Sequence, residues 1–211
     1  MSDVLIPGGR DVRGTLAEPI DDPDAIVVAA PPHPQHSGSR SDPRLTAVAE
    51  SLRESDIACL RFDYGAWDEG YGEREDVRNA VRWAREEYGR GDGTADGDDR
   101  PVGVFGYSFG ASLALLAAAD VDPDAVAALA PTARLADDLD AVDALESLEL
   151  PVCVLYGERD ETVDWEPVVD RARERGDAVT ALAGDHFFLG THGDIGDEVA
   201  GFFEKALLES A

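Results

Sequence analysis

Short apolar runs alternate with segments of helical periodicity along most of the chain, and this alternation constrains the fold more than any other feature. The run 25–30, Ala-Ile-Val-Val-Ala-Ala, has the composition of a strand that is buried on both faces. Residues 43–54 follow, with apolar side chains at helical spacing and Ser41 or Asp42 as a possible N-cap. The same reading predicts an opening hairpin at 4–6 and 11–16, strands at 57–62, 101–105, 125–130, 151–156 and 178–182, and helices at 74–88, 109–119, 165–175 and 191 or 192–208.

Strands separated by helices of about 10 to 15 residues predict an α/β fold with a mostly parallel sheet covered by helices on both faces. No internal repeat and no linker composition interrupts the 211 residues, so a single domain over 1–211 is expected. The polar stretch 89–100 is interpreted as a solvated surface loop. It resembles a calcium loop only superficially, because Thr94 and Gly103 stand where ligands are expected.

The sequence Gly106-Tyr107-Ser108-Phe109-Gly110 joins a predicted strand directly to a predicted helix. A nucleophile elbow needs this context, because the sharp turn lifts the serine oxygen above the sheet edge at a helix N-terminus. Small residues two positions away on each side let the strand and the helix approach each other. Ser108 is therefore the candidate nucleophile, and a glycine-rich turn that merely contains a serine is the structural alternative.

A serine hydroxyl is a weak nucleophile at neutral pH and needs an adjacent base. The sequence contains four histidines. If the chain order is serine, acid, histidine, the base is either His186 or His192. His186 follows a predicted strand, where α/β sites lie, and is favoured over His192 at the start of the last helix.

The histidine in turn needs a carboxylate to orient it. Asp160 follows the predicted strand 151–156 and is the favoured candidate by position. Glu158, Asp164 and Asp185 are rivals in so acidic a chain, where a single carboxylate is by default solvated surface.

The oxyanion of an acyl-transfer intermediate needs two backbone donors. The N–H of Phe109, which follows the nucleophile, is one candidate. The second is expected in the loop after the strand 25–30. Pro34 has no N–H, so Gln35 is the leading candidate, and His33 and His36 are expected to shape that loop.

The charge balance is extreme, with 45 acidic residues against 18 basic ones and a formal net charge of −27. Such a surface repels phosphate backbones, which argues against nucleic-acid binding. The simplest explanation is adaptation to a high-salt cytoplasm, and an acidic surface for a cationic partner is the alternative. No run of 18 apolar residues and no signal-peptide pattern occurs, so a soluble cytoplasmic protein without membrane association is expected.

Cys59 and Cys153 both lie inside apolar runs and are interpreted as small buried core residues. A disulfide would suit an exported protein, which nothing else in the sequence indicates. A metal site would need further ligands nearby.

The chain resembles the α/β-hydrolase superfamily, close to its small dienelactone-hydrolase-like branch. The resemblance spans about residues 5–205. It implies eight strands with the first antiparallel, and a Ser108–Asp160–His186 triad that acts without a metal or an organic cofactor. It is carried by the elbow, by Gly157-Glu158-Arg159-Asp160, by Gly184-Asp185-His186-Phe187-Phe188, by the loop 33–38, by the stretch 60–65, and by Gly70-Tyr71-Gly72-Glu73 with Asp76 and Trp83.

The sequence departs from these relatives at two places. They usually have Arg-Gly where this chain has Tyr64-Gly65, and they carry more glycine in the oxyanion loop. Dienelactone hydrolases proper use cysteine as the nucleophile, so dienelactone is not the expected substrate.

Residues 132–150 occupy the position of a lid in the relatives and are expected to form one or two short helices. A lid this short indicates an open, shallow site for a small acyl substrate. The expected activity is hydrolysis of a small carboxylic ester through an acyl-enzyme. Thioester cleavage, acyl transfer and a catalytically silent binding module remain alternatives, and the sequence leaves the oligomeric state open.

Overall fold

The computed structural model describes residues 1–87 and 100–209. The expected loop at 89–100 lies, except for Arg100, outside the described residues, as does the expected helix end at Tyr88. Among the described residues, no helix combines the length and the apolar character that crossing a bilayer requires.

The described strands form an eight-stranded sheet and a separate two-stranded hairpin. The order in the main sheet is β1-β2-β4-β3-β5-β6-β9-β10, and β7 pairs with β8. The strand that runs against the other seven is β2 rather than the first, because β2 is antiparallel to both β1 and β4. The strands are β1 (Ser2–Ile6), β2 (Val12–Ala17), β3 (Ala25–Ala30), β4 (Ile57–Asp63), β5 (Val102–Tyr107), β6 (Ala125–Leu129), β7 (Arg134–Ala136), β8 (Leu139–Asp140), β9 (Val152–Gly157) and β10 (Ala178–Leu182).

The helices follow the predicted periodicity closely. The side chain of Asp42, rather than that of Ser41, caps the first helix by accepting the N–H of Arg44 at 2.9 Å. The second helix begins at Tyr71 instead of Arg74, since the Glu73 carboxylate binds backbone N–H groups of the preceding loop. The helices are α1 (Pro43–Glu54), α2 (Tyr71–Glu87), α3 (Phe109–Val121), α4 (Ala141–Ser147), α5 (Glu166–Arg175) and α6 (His192–Phe203), with a 3-10 turn at Pro34–His36 and a π-helical turn at Glu204–Leu208.

The sheet has an apolar core on each face because neighbouring residues of a strand point in opposite directions. On β3, Ile26 and Val28 face the core formed with α2, α3, α4 and α5, whereas Val27 faces the core formed with α1 and α6. Cys59 and Cys153 belong to the second core as free, buried thiols. Burial raises the pKa of each thiol to about 12, so both thiols stay protonated. The prediction of two core cysteines is confirmed.

The segment 132–150 contains one short helix, α4, within the prediction of one or two, and also a hairpin that was not predicted. It begins with the hairpin of β7 and β8, and only α4 is helical. Asp140 ends the hairpin and caps the helix, because its carboxylate accepts the N–H groups of Val142 and Asp143. An aspartate before a helix, such as Asp140, is a cap that the sequence can indicate. The strands β7 and β8 have only three and two residues, which is too short for an alternating pattern of apolar side chains.

The topology places a crevice at the carboxyl ends of β3 and β5. The chain leaves β3 for β4 on one side and later returns to β5 on the other side. Ligands bind at such a switch point in open α/β sheets, because the loops that follow the two strands diverge. The loop beginning at Pro31 and the turn at Ser108 therefore face each other across this crevice.

Salt is expected to stabilise this fold. At a net charge of −27, like charges repel across the surface, and molar salt shortens the screening length from about 10 Å at 0.1 M to about 3 Å at 1 M. We therefore expect the Tm, followed by circular dichroism, to rise steeply between 0.1 and 3 M KCl. A Tm that is indifferent to KCl would contradict this expectation.

Candidate active site

The backbone at Ser108 forms a strained turn between β5 and α3. Its φ of 56° and ψ of −120° lie in a region that residues with a side chain rarely adopt. The turn is tight because Gly106 and Gly110 lie in direct contact. A Cβ on Gly106 would overlap the carbonyl of Gly110, and a Cβ on Gly110 would overlap the carbonyls of Ala30 and Pro31. The strand and the helix can meet at this distance only with glycine at both positions.

Ser108, His186 and Asp160 are connected by hydrogen bonds. Ser108 Oγ lies 2.9 Å from His186 Nε2, and His186 Nδ1 lies 2.7 Å from Asp160 Oδ2. All three residues are less than 10 % exposed, and the Asp160 side chain is fully buried. A buried carboxylate at Nδ1 fixes the tautomer in which Nε2 can accept the serine proton.

The loop after β9 holds Asp160 in this position. The N–H of Thr162 donates to Asp160 Oδ1 at 2.9 Å, and the indole N–H of Trp165 donates to the Asp160 carbonyl at 2.9 Å. Among the rival carboxylates, Glu158 is exposed, and Asp185 accepts the N–H of Phe187 at 3.0 Å within its own turn. Of the four candidates, Asp160 is the one that the structure brings to the His186 ring.

Two residues that sequence reasoning did not identify support the loop of His186. Tyr107 Oη donates to the His186 carbonyl at 2.8 Å, and Arg44 Nη1 donates to the Phe187 carbonyl at 2.9 Å. The Arg44 guanidinium also lies 4.5 Å from the centroid of the Tyr107 ring. Burial raises the pKa of Tyr107 to about 12, which keeps its proton available for donation. Because Tyr107 directly precedes Ser108, one residue links the elbow to the histidine loop.

The rival histidine is not part of this arrangement. His192 begins α6, and its Nε2 atom is buried without a hydrogen-bond partner among the described residues. It does not line the cleft at Ser108. The choice between the two histidines could be made from sequence because only His186 directly follows a strand of the parallel sheet.

A cleft of about 640 Å³ opens above Ser108, and we call it the main cleft. Phe109, the first residue of α3, contributes to its floor, and its N–H points out of the free N-terminal end of the helix. The remaining walls come from three loops, the start of α1, the end of β5 and the hairpin segment: Pro32, His33, His36, Ser37, Gly38, Asp42, Arg44, Tyr107, Thr132, Leu135, Thr162, Val163, Asp164, His186 and Phe187.

Gln35 is not brought to the main cleft, which corrects the expectation that it supplies the second oxyanion donor. Its side chain is exposed, and its N–H donates to His33 Nδ1 at 3.2 Å. The physical reason is the 3-10 turn at Pro34–His36, which the His33 side chain caps. His33 itself lines the main cleft, as Phe109 does. The sequence signal that could have identified His33 was its position directly after Pro31 and Pro32, which have no N–H to donate.

His33 is also the centre of an aromatic group. Its ring centroid lies 4.6 Å from His36, 4.6 Å from Trp67 and 4.8 Å from Phe109. Burial and the neighbouring His36 lower the pKa of His33, which favours the neutral ring. Since Nδ1 accepts the Gln35 N–H, the proton of the neutral ring is on Nε2.

Solved structures with the same fold span nearly the whole chain. An α/β serine hydrolase without a lid from Xanthomonas campestris has a TM-score of 0.79 at 23 % identity, covering 98 % of this chain and 95 % of that one. An α/β serine hydrolase homologue from Coxiella burnetii has a TM-score of 0.77 at 22 % identity, with 95 % and 96 % covered. An esterase from Pyrococcus furiosus has a TM-score of 0.78 at 18 % identity, with 98 % and 91 % covered. The expected α/β-hydrolase fold is confirmed.

Comparison by sequence gives one family match. No curated protein is significantly similar to the chain. Residues 61–184, which contain the elbow, the hairpin segment and the loop of Asp160, match the family model of X-Pro dipeptidyl-peptidases, the S15 family. The matched region exceeds half of the chain and adjoins His186. The chain therefore belongs to the X-Pro dipeptidyl-peptidase (S15) family of hydrolases, and it has the α/β-hydrolase fold.

Proposed function

We propose that the protein hydrolyses small carboxylic esters through an acyl-enzyme formed on Ser108. The observation that carries this proposal is the continuous hydrogen-bonded path from Ser108 Oγ through His186 to Asp160, at 2.9 Å and 2.7 Å. The strained turn, the free N–H at the start of α3 and the open main cleft are the other parts that acyl transfer needs.

In the first half of the reaction, Ser108 Oγ attacks the ester carbonyl while His186 Nε2 takes its proton. Asp160 stabilises the resulting imidazolium through Nδ1 and remains ionised. The developing oxyanion binds the N–H of Phe109. We propose the N–H of His33 as the second donor, because His33 lines the main cleft, Pro32 has no N–H and that of Gln35 is already engaged.

The first half ends when the tetrahedral intermediate collapses to the acyl-enzyme: the bond between the acyl carbon and the alkoxy oxygen breaks, and His186 donates its proton to the leaving alcohol. In the second half, a water molecule takes the place of the alcohol, His186 removes a proton from it, and the hydroxide attacks the acyl carbon. Collapse of the second tetrahedral intermediate releases the acid and restores the Ser108 hydroxyl with the proton from His186. No step needs a group beyond the side chains and the two backbone donors.

The expected substrates are small because the lid segment is short. The hairpin segment contributes Thr132 and Leu135 to one side of the main cleft, and no residue of α4 lines it. Thioesters and X-Pro peptides present an acyl carbon to the same triad, so they belong in the substrate panel with esters. A catalytically silent module is the third alternative, and turnover of any of these compounds excludes it.

The test compares His186→Ala with His192→Ala in 3 M KCl. With p-nitrophenyl acetate, we expect His186→Ala to lower kcat/KM by several orders of magnitude, whereas His192→Ala should retain it. Asp160→Asn should cost a factor on the order of 10⁴, with Glu158→Gln as its exposed control. An X-Pro p-nitroanilide and an acyl thioester are assayed alongside. Unchanged turnover by His186→Ala, or preferred cleavage of the anilide, would overturn the proposal.

A further inference from the structure

A second cleft adjoins the main cleft on the side away from His186. Its volume is about 480 Å³, and it shares His33, Phe109 and Leu135 with the main cleft. We call it the aromatic cleft, because rings form half of its lining: His33, Trp67, Tyr71 and Phe109, completed by Glu69, Arg134, Leu135 and Ala136.

Two of these rings are unusually accessible for their size. Trp67 is 36 % exposed and Tyr71 is 45 % exposed, on a chain whose surface is dominated by carboxylates. Exposed apolar surface that is grouped in a concave site, rather than scattered, marks a binding site. The rings of Trp67 and Phe109 lie 5.7 Å apart, and both border the space where a ligand would lie.

The loop that carries Trp67 is held in place by two buried carboxylates. We call residues 65–70 the Trp67 loop. Glu73 accepts the N–H groups of Asp68 and Gly70 at 2.9 and 2.8 Å, and Asp76 accepts the N–H of Gly65 at 2.9 Å. Both carboxylate side chains are fully buried.

A single arginine completes this support. Arg10 Nε donates to Asp76 at 2.7 Å, and its Nη2 donates to the Ala66 carbonyl at 2.5 Å. Two buried carboxylates share one cation, which carries a substantial desolvation cost. The two carboxylates accept hydrogen bonds from backbone N–H groups on both sides of Trp67. They therefore hold the indole beside His33 and Phe109, in spite of the desolvation cost.

The position of the aromatic cleft decides which half of an ester it can hold. The leaving-group oxygen must come within reach of His186, and the loop of His186 contributes only to the main cleft. Phe109, whose N–H is the proposed oxyanion donor, lines both clefts. A group in the aromatic cleft is therefore attached to the acyl side of the carbonyl.

We infer that the aromatic cleft is the acyl subsite and that it selects carboxylic esters with an aromatic ring in the acyl group. Trp67 is the specificity residue, and the planar ring stacks against its indole. This inference rests on the proposed esterase function and adds the substrate class to it.

The test uses two esters with one leaving group and matched acyl size, p-nitrophenyl 3-phenylpropanoate and p-nitrophenyl 3-cyclohexylpropanoate. Stacking is worth about 0.5–1.5 kcal/mol beyond area burial, so we expect the phenyl ester to have a kcat/KM about 2- to 10-fold higher. Trp67→Ala should reduce this ratio to about 1, and Trp67→Phe should retain most of it. Phe187→Ala removes a half-exposed ring of the main cleft and should leave the ratio as it is.

Binding to Ser108→Ala separates this inference from the esterase proposal. In isothermal titration calorimetry, methyl 3-phenylpropanoate should bind more tightly than its cyclohexyl counterpart, and the preference should disappear in the double variant with Trp67→Ala. Absence of turnover by the unmodified protein counts against the proposed function alone. Equal kcat/KM and equal binding for the two acyl groups, or a preference that survives Trp67→Ala, would overturn the inference.

Discussion

Replacing Ser108 with alanine is expected to lower kcat/KM for p-nitrophenyl acetate by a factor on the order of 10⁴ to 10⁶. The residual rate would come from the oxyanion donors and from binding, which do not depend on the hydroxyl. We expect so large an effect because the serine oxygen is the proposed attacking atom and because it is the side-chain hydrogen-bond partner of His186 Nε2.

The fold should tolerate this change. The Ser108 side chain makes a hydrogen bond to His186 and does not cap α3, so the urea midpoint should stay close to that of the unmodified protein. The far-ultraviolet circular dichroism spectrum should be the same. Turnover by Ser108→Ala at the original rate would place the nucleophile elsewhere and refute the assignment.

The second large effect is expected at Gly110, where alanine should destabilise the fold. Its Cβ would overlap the carbonyl groups of both Ala30 and Pro31, which are backbone atoms that cannot rotate away. Overpacking typically costs about 1–3 kcal/mol, and two fixed backbone contacts place this site at the upper end, about 3 kcal/mol. Since the same contacts set the distance between β3 and the elbow, ester hydrolysis should fall as well.

Gly201→Ala is the matched control for this substitution. Gly201 lies in α6 and is exposed, and a Cβ there meets nothing within 4 Å. Alanine should stabilise the helix by about 0.5–1 kcal/mol. Urea unfolding at constant high salt measures both changes. Equal midpoints for the two variants would contradict the close approach of β3 and α3.

The periodic elements could be predicted from the sequence because their causes are local, and the residues proposed for the triad could be selected because each follows a strand. On α1, the side chains buried in the structure are Leu45, Val48, Ala49 and Leu52, as their spacing predicts. The elbow requires glycine on both sides of Ser108, so its signal is a short motif. His186 and Asp160 each follow a strand, and parallel strands bring the residues after them to one sheet edge.

The remainder depends on contacts that no local pattern records. The sequence favours Gln35 as the second oxyanion donor because Pro34 has no N–H. In the 3-10 turn, however, the Gln35 N–H donates to His33 Nδ1, and His33 is the residue that lines the main cleft. The contacts of Tyr107 and Arg44 with the histidine loop join residues far apart in sequence. The Trp67 loop likewise depends on Arg10, which lies in a different part of the chain.

The most direct test of the central claim is covalent labelling by a fluorophosphonate in 3 M KCl, followed by mass spectrometry of the intact protein and its peptides. An activated serine beside a histidine loses its proton to the imidazole and attacks the phosphorus, which releases fluoride. The expected result is a single adduct, located on Ser108 and absent from Ser108→Ala and His186→Ala. A folded sample that takes up no label, or an adduct on another residue, would contradict the assignment of Ser108 as the nucleophile.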